Sequence, residues 1–102
     1  MAPAAILFHR LARREYQKAF AWYAHRTLQA ALSFENDVTG ALQRIAANPN
    51  RWPVFQGLDR FVQVKRYSYV LYYRIVDPTL VLIMAVAHTS RRSGYWRRRK
   101  GP

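Results

Sequence analysis

The chain has 102 residues, and its 17 Lys and Arg against five Asp and Glu give a formal charge of +12. This length fits one domain with a single small core, and the charge implies partners that are negatively charged. The absence of cysteine excludes disulfides, thiolate metal sites and cysteine nucleophiles, and it favours a reducing, cytoplasmic location.

The first half of the sequence predicts a strand followed by two helices. Residues 5–9 predict the strand. In residues 10–26 apolar side chains recur at helical spacing, at Ala12, Tyr16, Ala19, Phe20 and Tyr23. Residues 28–47 have a second such stripe, at Ala30, Phe34, Val38, Ala41, Leu42 and Ile45. Thr27 breaks the first helix and can cap the second, and so short a link requires an antiparallel hairpin.

The second half predicts a loop over residues 49–58 and then strands over 60–67, 69–76 and 80–88. The last strand is apolar on both faces, which favours a central place in the sheet. No apolar run approaches the ~20 residues that cross a bilayer, so we expect no membrane contact.

The predicted fold class is therefore α+β: an N-terminal strand, an antiparallel helical hairpin and a three-stranded antiparallel meander, in the order β-α-α-β-β-β. We expect the helices on one face of a mostly antiparallel sheet, with the other face and the C-terminal tail open to a partner. The expected domain is 1–96, followed by a loose basic tail over 97–102.

Catalytic and metal motifs are absent from the sequence. His9, His25 and His88 are not at ligand spacing from one another or from a carboxylate. No glycine-rich loop could hold a phosphate, and no cofactor is expected. What remains is a set of basic and aromatic residues, which suits phosphates and unstacked bases, although about half of the tyrosines should face the core.

The arrangement from Leu7 to Trp96 resembles the RelE/ParE superfamily of toxins from type II toxin–antitoxin modules, often called plasmid stabilisation proteins. The resemblance rests on the segments Ala12-Arg13-Arg14-Glu15-Tyr16, Trp22-Tyr23, Asn48-Pro49, Tyr69-Val70-Leu71-Tyr72-Tyr73-Arg74 and Val86-Ala87-His88, followed by Arg91, Arg92, Tyr95 and Trp96. It implies growth inhibition, a cognate acidic antitoxin and a toxin–antitoxin hetero-oligomer.

The superfamily has two branches with different targets. RelE-like members cleave messenger RNA on the ribosome, using basic residues on their second and third strands. At the matching positions this sequence has Val62 and Val64, and Val70 follows Tyr69. Valine cannot transfer a proton or bind a phosphate, so the resemblance favours the ParE-like branch, which inhibits DNA gyrase. An enzyme is then not expected, and a metal-independent endoribonuclease is the alternative.

The candidate site residues fall into three sets, and only the alternative requires catalytic ones. An endoribonuclease would use Arg66, His88, Arg91 and Tyr95. The candidates for binding the target are Lys65, Arg66, Tyr67, His88, Arg91, Arg92, Tyr95 and Trp96. The candidates for binding the antitoxin are Arg10, Arg13, Arg14, Lys18 and Arg74. A harmless basic nucleic-acid-binding module is a third hypothesis.

Overall fold

A computed structural model describes residues 2–101 of the chain. It contains five strands and two helices in the order β1 (Ala5–Phe8), α1 (Arg10–Arg26), α2 (Leu28–Ala47), β2 (Val54–Gln56), β3 (Asp59–Gln63), β4 (Tyr69–Asp77) and β5 (Leu80–His88). The α+β class and the order of the predicted elements are confirmed, with β2 as an addition. No helix within the described range is both long and apolar enough to cross a membrane.

The two helices have the bounds that their apolar stripes predict, and one residue joins them. The backbone N–H of Thr27 donates to the Tyr23 carbonyl and closes α1. Its hydroxyl oxygen accepts a 3.0 Å bond from the Ala30 N–H and begins α2. A side-chain oxygen at this position satisfies a helical N–H that would otherwise have no partner. Thr27 therefore fixes the hairpin from both sides.

The sheet has the strand order β1-β5-β4-β3-β2, and it is mixed. The predicted meander is confirmed, because β3, β4 and β5 pair antiparallel in succession. β1 pairs with β5 in parallel, from Ala5 opposite Leu80 to Phe8 opposite Ile83. The expectation of a mostly antiparallel sheet is therefore confirmed, with β1 and β5 as a parallel pair. β5 lies between two strands, as its uniformly apolar sequence predicts.

Two boundaries in the middle of the chain were predicted wrongly. The expected loop over 49–58 contains β2, which pairs with β3. The strand expected over 60–67 ends at Gln63, and a turn follows in which Arg66 has a φ of 66°. A positive φ is uncommon outside glycine and is incompatible with a continuing strand. The turn changes the direction of the chain just before β4.

The main core lies between the helical hairpin and one face of the sheet. On the helical side of this core, α2 contributes most of the side chains, including Phe34, Val38 and Ile45. α1 contributes the small residues Ala12 and Ala19. Small side chains on α1 allow this helix to approach the sheet closely. Both helices therefore pack on one face, as predicted.

The opposite face of the sheet is covered by the chain itself. Trp96 is only 1% exposed, and its ring stacks on Tyr72 at 3.7 Å between centroids. Phe55 of β2 packs against the same pair, and Leu82 and Met84 complete this second cluster. The expectation that this face stays open to a partner is wrong, because burying these aromatic rings is favourable without one. In the tail, Arg97, Arg98 and Lys100 are exposed.

Candidate functional site

A groove of about 770 Å³ runs between α1 and the turn that precedes β4. α1 forms one wall through Lys18, Trp22 and Tyr23. The opposite wall comes from the turn and from the end of β5. The residues on this side are Arg66, Tyr67, Ser68, Tyr69, Val86, His88, Ser90 and Arg91.

The groove has an aromatic floor that is continuous with the core. The Tyr23 ring lies 5.1 Å from Tyr67 and 5.0 Å from Trp22, in edge-on contacts. Tyr67 and Tyr69 both pack against the buried Phe34, at 5.3 and 5.4 Å. Aromatic rings in such edge-to-face arrangements stabilise one another beyond the area that they bury. The rings of the floor are therefore packed against one another and against the core.

Cations lie along the rim of the groove. The Arg66 guanidinium donates two hydrogen bonds to Asp37 of α2, at 3.0 and 3.1 Å. Arg91 lies over the Tyr95 ring at 3.9 Å, and its Nη1 is 4.0 Å from a Glu15 oxygen. Lys18 is exposed on the α1 wall. The groove therefore combines an apolar floor with a mostly positive edge.

Glu15 of α1 joins the groove to the C-terminal segment. Its carboxylate accepts bonds from the Tyr95 hydroxyl at 2.6 Å and from two Arg99 nitrogens at 2.8 and 3.0 Å. Burial alone would raise the pKa of Glu15, but these bonds and one from the Val86 N–H together hold it below its ordinary value. Burial and the neighbouring carboxylate raise the pKa of Tyr95. Glu15 is therefore ionised and Tyr95 neutral at pH 7.

Glu15 and Arg99 also occupy the edge of β5 where β1 no longer pairs with it. β1 ends opposite Ile83, and the last backbone bond on this side runs from the His9 N–H to the Ile83 carbonyl. Beyond it, the Val86 N–H donates to Glu15 at 3.0 Å and the Met84 carbonyl accepts from Arg99 at 2.8 Å. The ion pair of Glu15 and Arg99 thus bonds backbone groups of β5 that a neighbouring strand would otherwise bond.

His9 lies at the start of α1 and is 2% exposed. Its Nδ1 accepts a 3.1 Å bond from the Leu11 N–H, which requires this nitrogen to be unprotonated. Burial, and next the positive charge of Arg99, lower the pKa of His9. This imidazole therefore has a structural role as a helix cap.

The groove brings together four of the eight residues expected to bind the target or to act as catalysts, and a fifth lies beside it. Arg66, Tyr67, His88 and Arg91 line it. Lys65 is exposed in the adjoining turn. The His88 Nδ1 lies 2.7 Å from the Ser90 hydroxyl. These residues share one surface although more than 20 positions separate the two groups in sequence.

Three expected contact residues lie elsewhere. Trp96 is buried under the sheet and donates its indole N–H to Asp59 at 3.2 Å, so its assignment to a contact surface is wrong. Tyr95 is half-buried, with its hydroxyl held by Glu15. Arg92 is exposed outside the groove. Of the basic tail, Arg99 is held by the domain, so the expectation of a loose tail does not apply to it.

The cations expected to meet an acidic partner are divided between two faces. Arg10, Arg13, Arg14 and Lys18 are all exposed along α1. Only Lys18 lines the groove, whereas Arg13 lines a separate cleft between α1 and α2. Arg74 lies on β4 and pairs with Asp59 at 2.9 Å, in contact with the Trp96 cluster. Arg74 therefore has a structural partner.

Sequence reasoning missed several residues of the site, namely Glu15, Trp22, Tyr23, Tyr69 and Arg99. One signal was available for Glu15, which is the only acid among the first 34 residues and lies within a basic helix. The contact of Arg99 with Glu15 joins positions 84 residues apart, which no local pattern indicates. No three His, Asp or Glu side chains between residues 2 and 101 gather as metal ligands would.

Comparison with known proteins identifies the family of this chain. A family model described as the ParE toxin of the type II toxin–antitoxin system parDE matches residues 6–93. The chain belongs to the ParE toxin family. The match spans both walls of the groove and ends before Tyr95. Members of this family act with an antitoxin, and this toxin is therefore of the type II class.

The fold of this toxin is also found among solved structures. A chain of the chromosomal ParDE TA system from P. aeruginosa superimposes with a TM-score of 0.70 and 13% sequence identity. The match covers 83% of this toxin and 95% of that chain. At this identity the likeness shows the fold alone. None of the curated proteins compared with the toxin matches it.

Proposed function

We propose that this toxin inhibits DNA gyrase and that an acidic cognate antitoxin neutralises it by occupying the groove. The burial of Val62 and Val64, which are 5% and 0% exposed, carries the choice of target. Both valines belong to the core beneath the helices. Two of the positions at which a messenger RNA nuclease would present its strand cations are therefore apolar and inaccessible to a phosphate.

The chemistry of the groove supports a protein ligand with both apolar and acidic side chains. Trp22 is 53% exposed on one wall of the groove. Exposed aromatic anchors surrounded by cations are typical of protein interfaces. An antitoxin segment lying here would pair its carboxylates with Lys18 and Arg91, and it would cover His88.

Covering His88 and Arg91 would also explain neutralisation. Both residues are candidates for contact with the target, and both line the groove that the antitoxin would fill. Toxin bound to antitoxin would then be unable to reach gyrase. The two partners are expected to compete for one surface, so neutralisation requires no conformational change.

A supercoiling assay tests the choice of target. Purified toxin should inhibit gyrase, and addition of the antitoxin encoded beside it should restore supercoiling. In parallel, messenger RNA from cells arrested by the toxin should stay intact. Gyrase that keeps full activity at excess toxin, with cleaved messages in the arrested cells, would instead favour the ribosome-dependent endoribonuclease.

Two matched substitutions test the groove. Trp22→Ala should weaken antitoxin binding at least tenfold, as truncation of an aromatic anchor commonly does. Leu58→Ala removes an apolar side chain that is 75% exposed outside the groove, and it should leave antitoxin affinity unchanged. Calorimetric titration of each variant with the antitoxin gives the two affinities. Equal effects would mean that the antitoxin does not use the groove.

A further inference from the structure

The five acidic side chains of this toxin all have partners within the described chain. Three pair with arginines, as Glu15 with Arg99, Asp37 with Arg66 and Asp59 with Arg74. Glu35 accepts from the Tyr16 hydroxyl, and Asp77 accepts from Thr79 in a turn. The net positive charge therefore comes from Lys and Arg side chains that have no carboxylate partner.

Four of these cations are concentrated in the C-terminal segment. Arg92, Arg97, Arg98 and Lys100 are all exposed, and within residues 2–101 none of their side chains forms an ion pair or hydrogen bond. No acidic residue occurs after Asp77. We call these four side chains the basic ridge.

The backbone beneath the basic ridge is fixed in place. Trp96 is buried against the sheet, and Tyr95 and Arg99 are bonded to Glu15. Successive turns join the Arg97 N–H to the Gly94 carbonyl and the Arg99 N–H to the Trp96 carbonyl. Gly94 permits this path because its φ of 78° suits glycine and strains other residues.

The chemistry of the basic ridge differs from that of the groove. The aromatic residues of the segment, Tyr95 and Trp96, point inward, so the outward surface offers charge without an apolar anchor. A protein interface usually needs such an anchor, whereas a phosphate backbone needs only cations, and arginine binds phosphate with two parallel bonds. A backbone that is already ordered also lowers the entropic cost of binding.

We propose that the basic ridge binds the phosphate backbone of duplex nucleic acid, without reading its sequence. Contacts to phosphates position a protein but carry no sequence information. The absence of exposed aromatic rings in the segment also gives single strands no stacking surface. This activity is separate from the proposed inhibition of gyrase, and it does not depend on it.

Fluorescence anisotropy with a labelled 20-bp DNA duplex tests the proposal. Four phosphate contacts predict a slope of about 3.6 in log Kd against log salt, or an affinity loss of about 150-fold between roughly 50 and 200 mM. The double substitution R97Q/R98Q should lower this slope by about 2, so that the loss falls to about 12-fold. Duplexes of unrelated sequence should behave alike.

The matched control R13Q/R51Q removes the same charge from exposed positions on α1 and after α2. It should change the slope by less than about 0.5. Thermal unfolding of both variants at the wild-type midpoint establishes that they are folded. Equal losses in the two variants would overturn the proposal, since the binding would then follow net charge alone. Polyglutamate that binds as tightly as DNA at the same salt would overturn it in favour of an acidic protein partner.

Discussion

Glu15→Gln is expected to destabilise the toxin by about 3 kcal/mol. The substitution keeps the size of the side chain but removes the charge that faces Arg99. The side chains of this pair are only 14% and 12% exposed, and removing one member of a buried ion pair costs about 3–5 kcal/mol. Partial exposure places the expected value at the lower limit. The glutamine N–H₂ would also face the guanidinium as a second donor.

Urea unfolding followed by tryptophan fluorescence measures the effect. For a domain of this size a loss of about 3 kcal/mol lowers the thermal midpoint by about 12 °C or more. Glu35→Gln is the matched control, because exposed Glu35 accepts a single 3.4 Å bond from Tyr16. That variant should lie within about 0.5 kcal/mol of the wild type.

A double-mutant cycle separates the ion pair from other effects of the substitution. Arg99→Met removes the buried cation and keeps an apolar stem, so the double variant should lose less stability than the two single losses added together. The expected coupling between Glu15 and Arg99 is about 1.5–3 kcal/mol. Additive losses, or a Glu15→Gln variant as stable as Glu35→Gln, would refute the view that this ion pair holds the C-terminal segment.

Three further predictions concern the core and the helix cap. Trp96→Ala should cost about 3–5 kcal/mol in urea unfolding, whereas Trp22→Ala should cost less than about 1 kcal/mol because Trp22 is exposed. Tyr73→Phe should cost about 1 kcal/mol by the same measurement, since it removes the 2.6 Å bond from the Tyr73 hydroxyl to the Pro49 carbonyl. The pKa of His9 is lowered below its ordinary 6.5, so the unfolded chain binds the proton first and stability should fall as the pH drops below about 6.5. His9→Asn keeps a cap acceptor and should remove that part of the pH dependence in unfolding curves between about pH 7.5 and 5.5.

The helical hairpin and the last two strands could be predicted from sequence because local patterns determine them. The apolar stripes give the bounds of α1 and α2, and the residue types around Thr27 give the cap. Leu80 to Ala87 is apolar along its length, and that pattern alone indicates a strand covered on both faces. Each of these predictions depends on neighbours within one element.

The features that the sequence did not predict depend on contacts between distant parts of the chain. Trp96 lies in a basic segment whose composition indicates solvent, yet its indole N–H binds Asp59, 37 residues earlier. The parallel pairing of β1 with β5 joins Ala5 to Leu80. Hydrophobic pattern does not distinguish parallel from antiparallel pairing for so short a strand. The groove was predicted only in part. Its cations could be named from the sequence, but its aromatic floor could not, because that floor is assembled from three elements.

The replacement of a strand by Glu15 and Arg99 along the end of β5 has a consequence for how toxin molecules meet one another. An uncovered strand edge is a template on which a second chain can add, and such addition leads to aggregation. In this toxin the Val86 N–H and the Met84 carbonyl already have partners. A free copy released from its antitoxin therefore does not present these two groups to another copy, and loss of Arg99 would leave the Met84 carbonyl without this partner.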